Sequence, residues 1–475
     1  MAQVIIEQKP LYTFLPIGQQ IIFAVSENET VAEKFKVKFV AEVHVSNKAI
    51  NPSVGDDVIG YFKTTPNNAG VGIFDLRPIL ETFVSPDYEP NATTFPASNS
   101  TYKGADAIDA MFPIHLIDKY SVNDNAVRHF QIQFSVEYSE TADGEMLSGG
   151  NENSDSYTFF NGVLQYDDAL RLVEGDYGYN LNYVNNPRHF FLYYAPSNFL
   201  SNAPTTQYAR DTDYGTFALL NFLPDPTLHR VSSVLVIGYN SAGGVPVSQS
   251  ISNNDADGGS QAFKSATYSY LQYLGIFPAN LRANADWETA FAAGNIAYYT
   301  VQAKNLAGDT VSETYTINII CPNERGYEGI RLTWLNQWGT WDYYTFNMKS
   351  TRSIATNRIP YQQQGGTWNE STFKIKGYKG GKKNFRVNST EKIKINTDFV
   401  TEEEGVWFEE LINSTDVYIL NGFSAVEDRN GITNKYVEPV TLTTSNYVKK
   451  TIANDKLMQY TFEIEKSKMK RTQAV

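Results

Sequence analysis

The side chains able to move protons, hold a metal or attack carbon are few in this sequence and poorly spaced for it. The five histidines are His44, His115, His129, His189 and His229. No two stand three or four residues apart, and none lies in an HExxH context, so no helical turn offers a metal a local pair. Only a site assembled across domains stays open. His44 and His129 fall in alternating segments and read as ordinary sheet residues. The one cysteine, Cys321, follows an apolar run and precedes Pro322; the expectation is a buried, inert thiol. One cysteine makes neither an internal disulfide nor a thiolate cluster. There is no GxSxG elbow, no phosphate loop and no GxGxxG after a strand. The stretch Asn253 to Gly259 offers oxygen ligands and glycine but no closing Glu, so a turn is favoured over a calcium loop. Glu402 to Glu404, Glu409 and Glu410 sit at the start and along the body of a predicted helix; acids at its start suit the dipole. Glycosidase carboxylates must converge across a cleft, and no such convergence is legible. No catalytic residue, cofactor or metal is therefore expected.

Two features point to binding instead. The first is an aromatic run comprising Tyr327, Trp334, Trp338, Trp341, Tyr343, Tyr344 and Phe346. Exposed Trp and Tyr stack on sugars or anchor interfaces, while cross-strand pairs in a core account for most such runs. Trp338 and Trp341 stand in or beside a turn at Asn336 to Thr340, so they are expected to be exposed, with Tyr343 beside them. The second is charge. The chain is acidic, with 39 Lys and Arg against 52 Asp and Glu and a net charge of −13. That argues against a general nucleic-acid binder. Yet ten acids lie between Glu137 and Asp176 with Arg171 as the only base, and eight bases lie between Lys374 and Lys394 against Glu391. Within the basic segment, Lys379, Lys382, Lys383 and Arg386 are the contact candidates, and Gly377, Gly380 and Gly381 suggest an arm. Such an arm would meet an acidic neighbour surface, or DNA if it lines a channel; a solvated loop is the plain alternative.

The elements that must carry these features are mostly strands. The 475 residues are 42% hydrophobic, 14% aromatic and 19% charged, which excludes a disordered chain. No apolar run approaches the ~20 residues of a membrane span, and the first residues do not read as a signal peptide. Alternation is clear at Lys34 to Ser46, with a phase slip after Val40 and Ala41 that suggests a bulge or a change of sheet, and at His129 to Tyr138. Phe35, Val37 and Phe39 are expected on one face; so are Phe130, Ile132, Phe134 and Val136. Val231 to Ser250 and Ala297 to Ile320 read as hairpins around NSAGG and NLAGD, where Asn and Gly favour positive φ. They make an immunoglobulin-like sandwich plausible. Short helices are expected at Asp75 to Phe83, capped by Asp75, within Phe263 to Trp287, and at 401–412, capped by Thr401 with Glu404 completing a capping box. The last would present Val406, Phe408, Leu411 and Ile412 inward. The fold class is mainly β and multi-domain, with β-sandwich domains and a few short helices. The expected divisions are an N-terminal β domain at 1–140, a polar connector at 141–160, a middle sandwich at 161–320 and an aromatic-rich β domain at 321–475. The loop from Ser85 to Tyr102 is long for a compact domain and is expected to reach a neighbour.

Four stretches carry a family likeness: IGQQIIFAVSENETVAEKFKVKFVAEVHVS from Ile17, VGIFDLRPILETFV from Val71, RLTWLNQWGTWDYYTFNMKSTRSI from Arg331 and FVTEEEGVWFEELINSTDVYIL from Phe399. In style and order they resemble the virion structural proteins of tailed phages that infect Bacteroidetes and marine bacteria, crAss-like podophages included. The resemblance implies a non-enzymatic subunit of a tail, collar or ring, assembled in the host bacterial cytoplasm and resident in the virion. Its implied partners are copies of itself in a cyclic homo-oligomer and neighbouring virion proteins. The alternative is a carbohydrate- or receptor-binding module using the Trp338/Trp341 turn.

Overall fold

The computed structural model describes residues 3–10, 14–46, 58–86, 115, 120–122, 126–163, 198–220, 231–253, 271–320, 326–367, 370–421, 437–448 and 458–471. The Ser85–Tyr102 loop beyond Pro86, His189, His229, Cys321 and the Asn254–Gly259 turn lie outside those residues. The chain is mainly β, with several sheets and a few short helices. It groups into two compact units: 1–320 with 335–343 and 422–434, and 321–334 with 344–421 and 435–475.

The first unit opens with β1 (Ile5–Gln8), β2 (Phe14–Pro16), β3 (Ile22–Ser26), β4 (Phe35–Ser46), β5 (Val58–Thr64) and β6 (Val71–Asp75). Then come β7 (Tyr120–Val122), β8 (Val127–Ser139), β9 (Met146–Asn153) and β10 (Tyr157–Phe160). Two sheets form, one ordered β1-β3-β6 and one ordered β2-β10-β8-β4-β5, with β9 beside β8. Their facing aromatics interdigitate: Phe134 lies 5.5 Å from Phe23 and 5.7 Å from Phe74 between ring centres. This is a sandwich core, and Phe130, Ile132, Phe134 and Val136 all point into it as the alternation predicts. The ladder does not break where the sequence places a phase slip: Val40 and Ala41 keep regular register with β8 and β5, and the irregularities lie on either side of them. The β4–β8 register shifts between Phe35 and Lys38, where Lys36 has φ 55, and the β4–β5 register shifts between Val43 and His44. The first shift turns Phe35 outward, so it does not share the buried face with Phe39.

Residues 141–160, expected to be a connector, instead supply β9 and β10. Their polarity misleads because β9 is an edge strand with much of its surface wet. Asp75 also acts differently from expectation. Its Oδ1 accepts from Arg77 N at 3.1 Å, but Leu76 is the cap of the short helix Arg77–Leu80, which continues as a tight turn through Phe83.

Farther along lie β11 (Thr206–Arg210), β12 (Thr216–Leu220), β13 (Ser233–Tyr239), β14 (Val247–Ser252), β15 (Leu271–Gly275), β16 (Tyr298–Lys304) and β17 (Tyr315–Ile320). One sheet is ordered β11-β17-β16-β13-β14 and the other β12-β15-β7. Phe217 and Tyr315 meet edge to face at 5.1 Å between them. Both predicted hairpins are present; Asn240 Oδ1 accepts from Gly244 N at 2.8 Å and Asn305 Oδ1 from Asp309 N at 2.8 Å. Helices at Pro278–Leu281 and Ala285–Ala292 close this part.

The second unit is built on one sheet. The strands of that sheet are β18 (Ile330–Leu335), β19 (Trp341–Phe346), β20 (Thr351–Gln363), β21 (Gly381–Asn396), β22 (Val417–Leu420), β23 (Val437–Leu442) and β24 (Thr461–Lys466), of which 335 and 341–343 group with the first unit. They are ordered β19-β18-β22-β23-β24-β21-β20. The helix Glu402–Asn413 starts on the predicted capping box, with Thr401 Oγ1 accepting from Glu404 N at 3.2 Å and Glu404 Oε2 from Thr401 N at 2.8 Å. It buries Trp407, Phe408 and Leu411, whereas Val406 is exposed. Trp334 packs on Trp407 at 4.9 Å, and Phe462 on Phe408 at 5.6 Å.

His129 gives a test of the first core. It is buried between strands, its Nδ1 2.8 Å from Thr158 Oγ1, and burial first, then the Arg128 charge, pushes its pKa down to about 4. The unfolded chain takes up this proton near pH 6.5 and the folded chain only near 4. The resulting stability is therefore complete above pH 6.5 and drains away as pH falls towards 4, by up to ~3 kcal/mol. Urea unfolding of His129→Gln should show a flatter pH dependence than the native chain between pH 7 and 4.5.

Candidate functional site

Most strands in this protein have one face against a core. The outer part of the pair β20–β21 does not, although Ile393 and Ile395 at the inner end of β21 are buried. The β20–β21 ladder runs from Thr351 opposite Lys394 to Gln363 opposite Gly381. At the base, Lys392 to Asn396 also pair with β24, and Ser389 makes a bridge to Lys470 with bonds of 3.1 and 3.0 Å. Arg471 Nε donates to Asn388 Oδ1 at 2.8 Å. Past Asn388, among the described residues, the two strands have only each other. Every residue from Thr351 to Gln362 is exposed, as is every residue from Gly381 to Arg386. Thirteen residues of strand extend about 40 Å.

Such a ribbon is at best marginally stable alone in water. It carries apolar side chains that a free ribbon does not need: Ile354, Ile359, Tyr361 and Phe385 are exposed along it. At the tip Phe373 is 65% exposed, Ile375 86% and Tyr378 73%. Clustered apolar exposure of this kind is uncommon on the surface of a monomer. Pro360 sits at a register shift in β20, on the outer edge of the sheet, where its missing N–H blocks indiscriminate pairing.

The described residues of the tip, 364–367 and 370–380, form a folded loop. Thr367 N donates to Lys374 O at 3.0 Å, and Lys374 N donates to Thr367 Oγ1 at 2.9 Å. Gly366 has φ +76, and a Cβ there would fall 2.2 Å from Phe373 Cε2, so glycine permits both the bend and the ring lying over it. Glu370 sits 3.7 Å from Lys374 and 3.5 Å from Lys376.

Charge is balanced at the root and unbalanced outward. Buried Glu391 accepts from Lys470 Nζ at 3.0 Å and Arg352 Nη1 at 3.2 Å, with Lys466 Nζ at 3.9 Å. Arg352 also grips Glu328 through two bonds of 2.8 and 2.9 Å. The hydrogen bond from Lys470, more than any other contact, holds the Glu391 carboxyl below the ordinary carboxylate range. By contrast Lys379, Lys382, Lys383 and Arg386 meet no carboxylate among the described residues. The structure thus gathers all four predicted basic residues onto one arm. Sequence reading missed the partner strand Thr351–Gln363. Its signal was present in Ile354, Ile359 and Tyr361 spaced among polar residues, but strand and loop look alike when neither face is buried.

The three aromatic candidates are placed elsewhere, and the expectation of exposure is corrected. Trp338 is 5% exposed, Trp341 6% and Tyr343 5%. The turn between β18 and β19 belongs to the first unit, and Asn336 organises it by accepting from Trp338 N at 3.0 Å and Thr340 N at 3.1 Å. Gly339 has φ +73, and a Cβ there would collide with Asn161 O at 1.7 Å. Trp338 Nε1 donates to Asn202 Oδ1 at 3.2 Å, and Trp341 meets the His115 ring edge to face at 5.1 Å. Tyr343 OH lies 2.8 Å from His115 Nδ1 and 2.9 Å from Thr216 Oγ1. Asp342 accepts from Ser201 Oγ at 2.7 Å and Asn336 Nδ2 at 3.0 Å. These rings insert because their polar atoms find partners inside. A sugar platform needs a bare face, and none of the three presents one.

Among the described residues no three His, Cys, Asp or Glu side chains converge as a metal site, and no described helix is long and apolar enough to cross a membrane. No protein family matches this chain, and no curated protein matches it either.

The ion cluster at the root predicts how the arm is held. The depressed Glu391 pKa means that its contribution is complete above the ordinary carboxylate range and is lost as pH falls through its lowered value. Glu391→Gln should remove this contribution at neutral pH. Amide exchange at Arg352 to Arg358 and Arg386 to Ile393 should quicken roughly tenfold, from the ~1.5 kcal/mol of a charge-assisted hydrogen bond. Unchanged exchange there would show that the ladder alone holds the root.

Proposed function

We propose that this chain is a non-enzymatic structural subunit of a phage virion, building a tail, collar or ring by protein–protein contact. The observation that carries the reading is the β20–β21 arm. A two-stranded ribbon with wet apolar faces, an exposed aromatic tip and basic residues that meet no carboxylate among the described residues makes sense as half of an interface. Assembly proteins use such extensions to seat on a neighbour, by side-chain anchors and by adding to a sheet edge. The layered sheets agree with a scaffold role, and so does the likeness of residues 17–46, 71–84, 331–354 and 399–420 to phage virion proteins. The partners under this reading are copies of the chain and neighbouring virion proteins, and the site of action is the virion. The carbohydrate-binding alternative loses its support, because Trp338 and Trp341 are buried.

Native mass measurement with electron microscopy of the purified chain tests this. The expected result is a closed multi-subunit particle with cyclic symmetry. Replacing 364–380 by Asn-Gly, a two-residue link suited to a hairpin, should leave the circular dichroism spectrum native-like and shift the mass towards monomer. A chain that stays monomeric at every concentration and turns over a substrate would sink the proposal.

A further inference from the structure

The arm's charge narrows what it can bind. From Arg352 to Val387 there are eight Lys or Arg and only Glu370 as acid, an excess of seven positive charges in a chain of net −13. The remainder of the chain therefore carries −20. Two arms repel each other, so arm does not pair with arm, and a symmetric arm-to-arm dimer is disfavoured. The body of a second copy has the opposite sign.

One described surface on that body fits in both charge and shape. Strand β9 is an edge. It pairs with β8, and on its outer side the described residues contribute a single backbone bond, from Val4 N to Gly150 O at 3.0 Å. The turn leading into it exposes Glu140, Asp143 and Glu145, and the strand begins with exposed Met146 and Leu147. Glu140 is engaged by Lys34 at 2.6 Å; Asp143 and Glu145 meet no base among the described residues. An edge with acids beside bare apolar side chains is an open template for another strand.

The arm offers that strand. Phe373, Lys374, Ile375 and Lys376 alternate apolar and basic side chains. Lys374 turns its backbone N–H and C=O inward to Thr367. The backbone groups of Phe373 and Ile375 take no hydrogen bond among the described residues.

Resting on the structural-subunit reading, we infer that the arm tip of one copy adds to the β9 edge of the next, with Phe373 and Ile375 on the face of Met146 and Lys374 and Lys376 on the opposite face, beside Asp143 and Glu145. The contact joins unlike surfaces. It is heterologous, so each copy gives one arm and receives one, as a ring or a helical stack requires.

Charge reversal in the full-length chain tests the pairing, read by mass photometry over a dilution series and by salt dependence. The arm variant Lys374→Glu/Lys376→Glu/Lys379→Glu and the edge variant Asp143→Lys/Glu145→Lys should each raise the dissociation concentration at least ~10-fold. Mixing the two variants restores complementary pairs, and the combined chain should recover to within ~3-fold of the native value. A native assembly that ignores the arm reversal overturns this inference and leaves the subunit reading standing. So does an arm effect with no edge effect, or with no recovery on combining them. If the native chain instead retards a duplex DNA fragment, and the arm reversal abolishes that while the assembly is unchanged, DNA is the occupant and the inference fails. A native chain that never assembles overturns both readings.

Discussion

Backbone hydrogen bonding governs this architecture more than any single side chain. A strand leaves half its N–H and C=O groups unmet unless another strand lies alongside, and a sheet stays in place only if something covers a face. The β8–β4 sheet meets this need with Phe23 and Phe74 set against Phe134. The β13–β16 sheet meets it with Tyr315 against Phe217. In the second unit, Trp407 and Phe408 on a helix cover Trp334 and Phe462. The β20–β21 ribbon breaks the pattern, with its edges open and both faces wet from Ile359 to the tip. In a protein that satisfies the rule three times over, the exception is where function is to be sought.

The root shows that the exception is built. Glu391, Arg352, Lys466, Lys470, Glu328 and Glu438 form one ion-pair chain where the ribbon leaves the sheet. Several charges in mutual contact fix geometry better than isolated surface pairs do. Beyond the end of β24, Lys470 adds a backbone bridge to Ser389. The base is thus held by side chains and by backbone while the outer part is left bare. A floppy insertion would not need that grip, and a core hairpin would not have that outer exposure. Rigid support below and exposed anchors above lower the ordering cost of binding, because the ribbon keeps its direction before it meets anything.

How much of this the residues disclosed depended on burial. Phe130, Ile132, Phe134 and Val136 alternate because one face of β8 is dry, and that face could be read directly. Thr401 and Glu404 announce a helix start through chemistry that is local in sequence. Trp338 and Trp341 misled, because exposure at a turn is decided by what packs over it. Asn161, Asn202 and His115, all distant along the chain, cover this one. Residues 141–160 misled in the opposite sense, since a wet edge strand has the composition of a linker. The arm was half legible. Its lysines and glycines stand out, while β20 does not, because a strand with two wet faces has no period-two contrast to betray it.

Under the proposed contact, the sign of the charge bears on which kind of symmetry the arm would serve. In a two-fold dimer an arm that crosses to its partner lies near its own copy coming back, and two excesses of seven positive charges would then face each other. Setting the arm on a body of net −20 removes that conflict only when giver and receiver are different surfaces. Each copy then keeps one arm and one acceptor, and addition repeats without limit until geometry closes it. Pro360 on the outer edge of the ribbon fits the same logic, since an arm that must find one edge among many gains from being unable to pair along its whole length. The features that look like defects in a free subunit, namely bare Ile375, a Lys382 that meets no carboxylate among the described residues and an interrupted ladder at Pro360, are mutually consistent once the ribbon is taken as half of a heterologous joint.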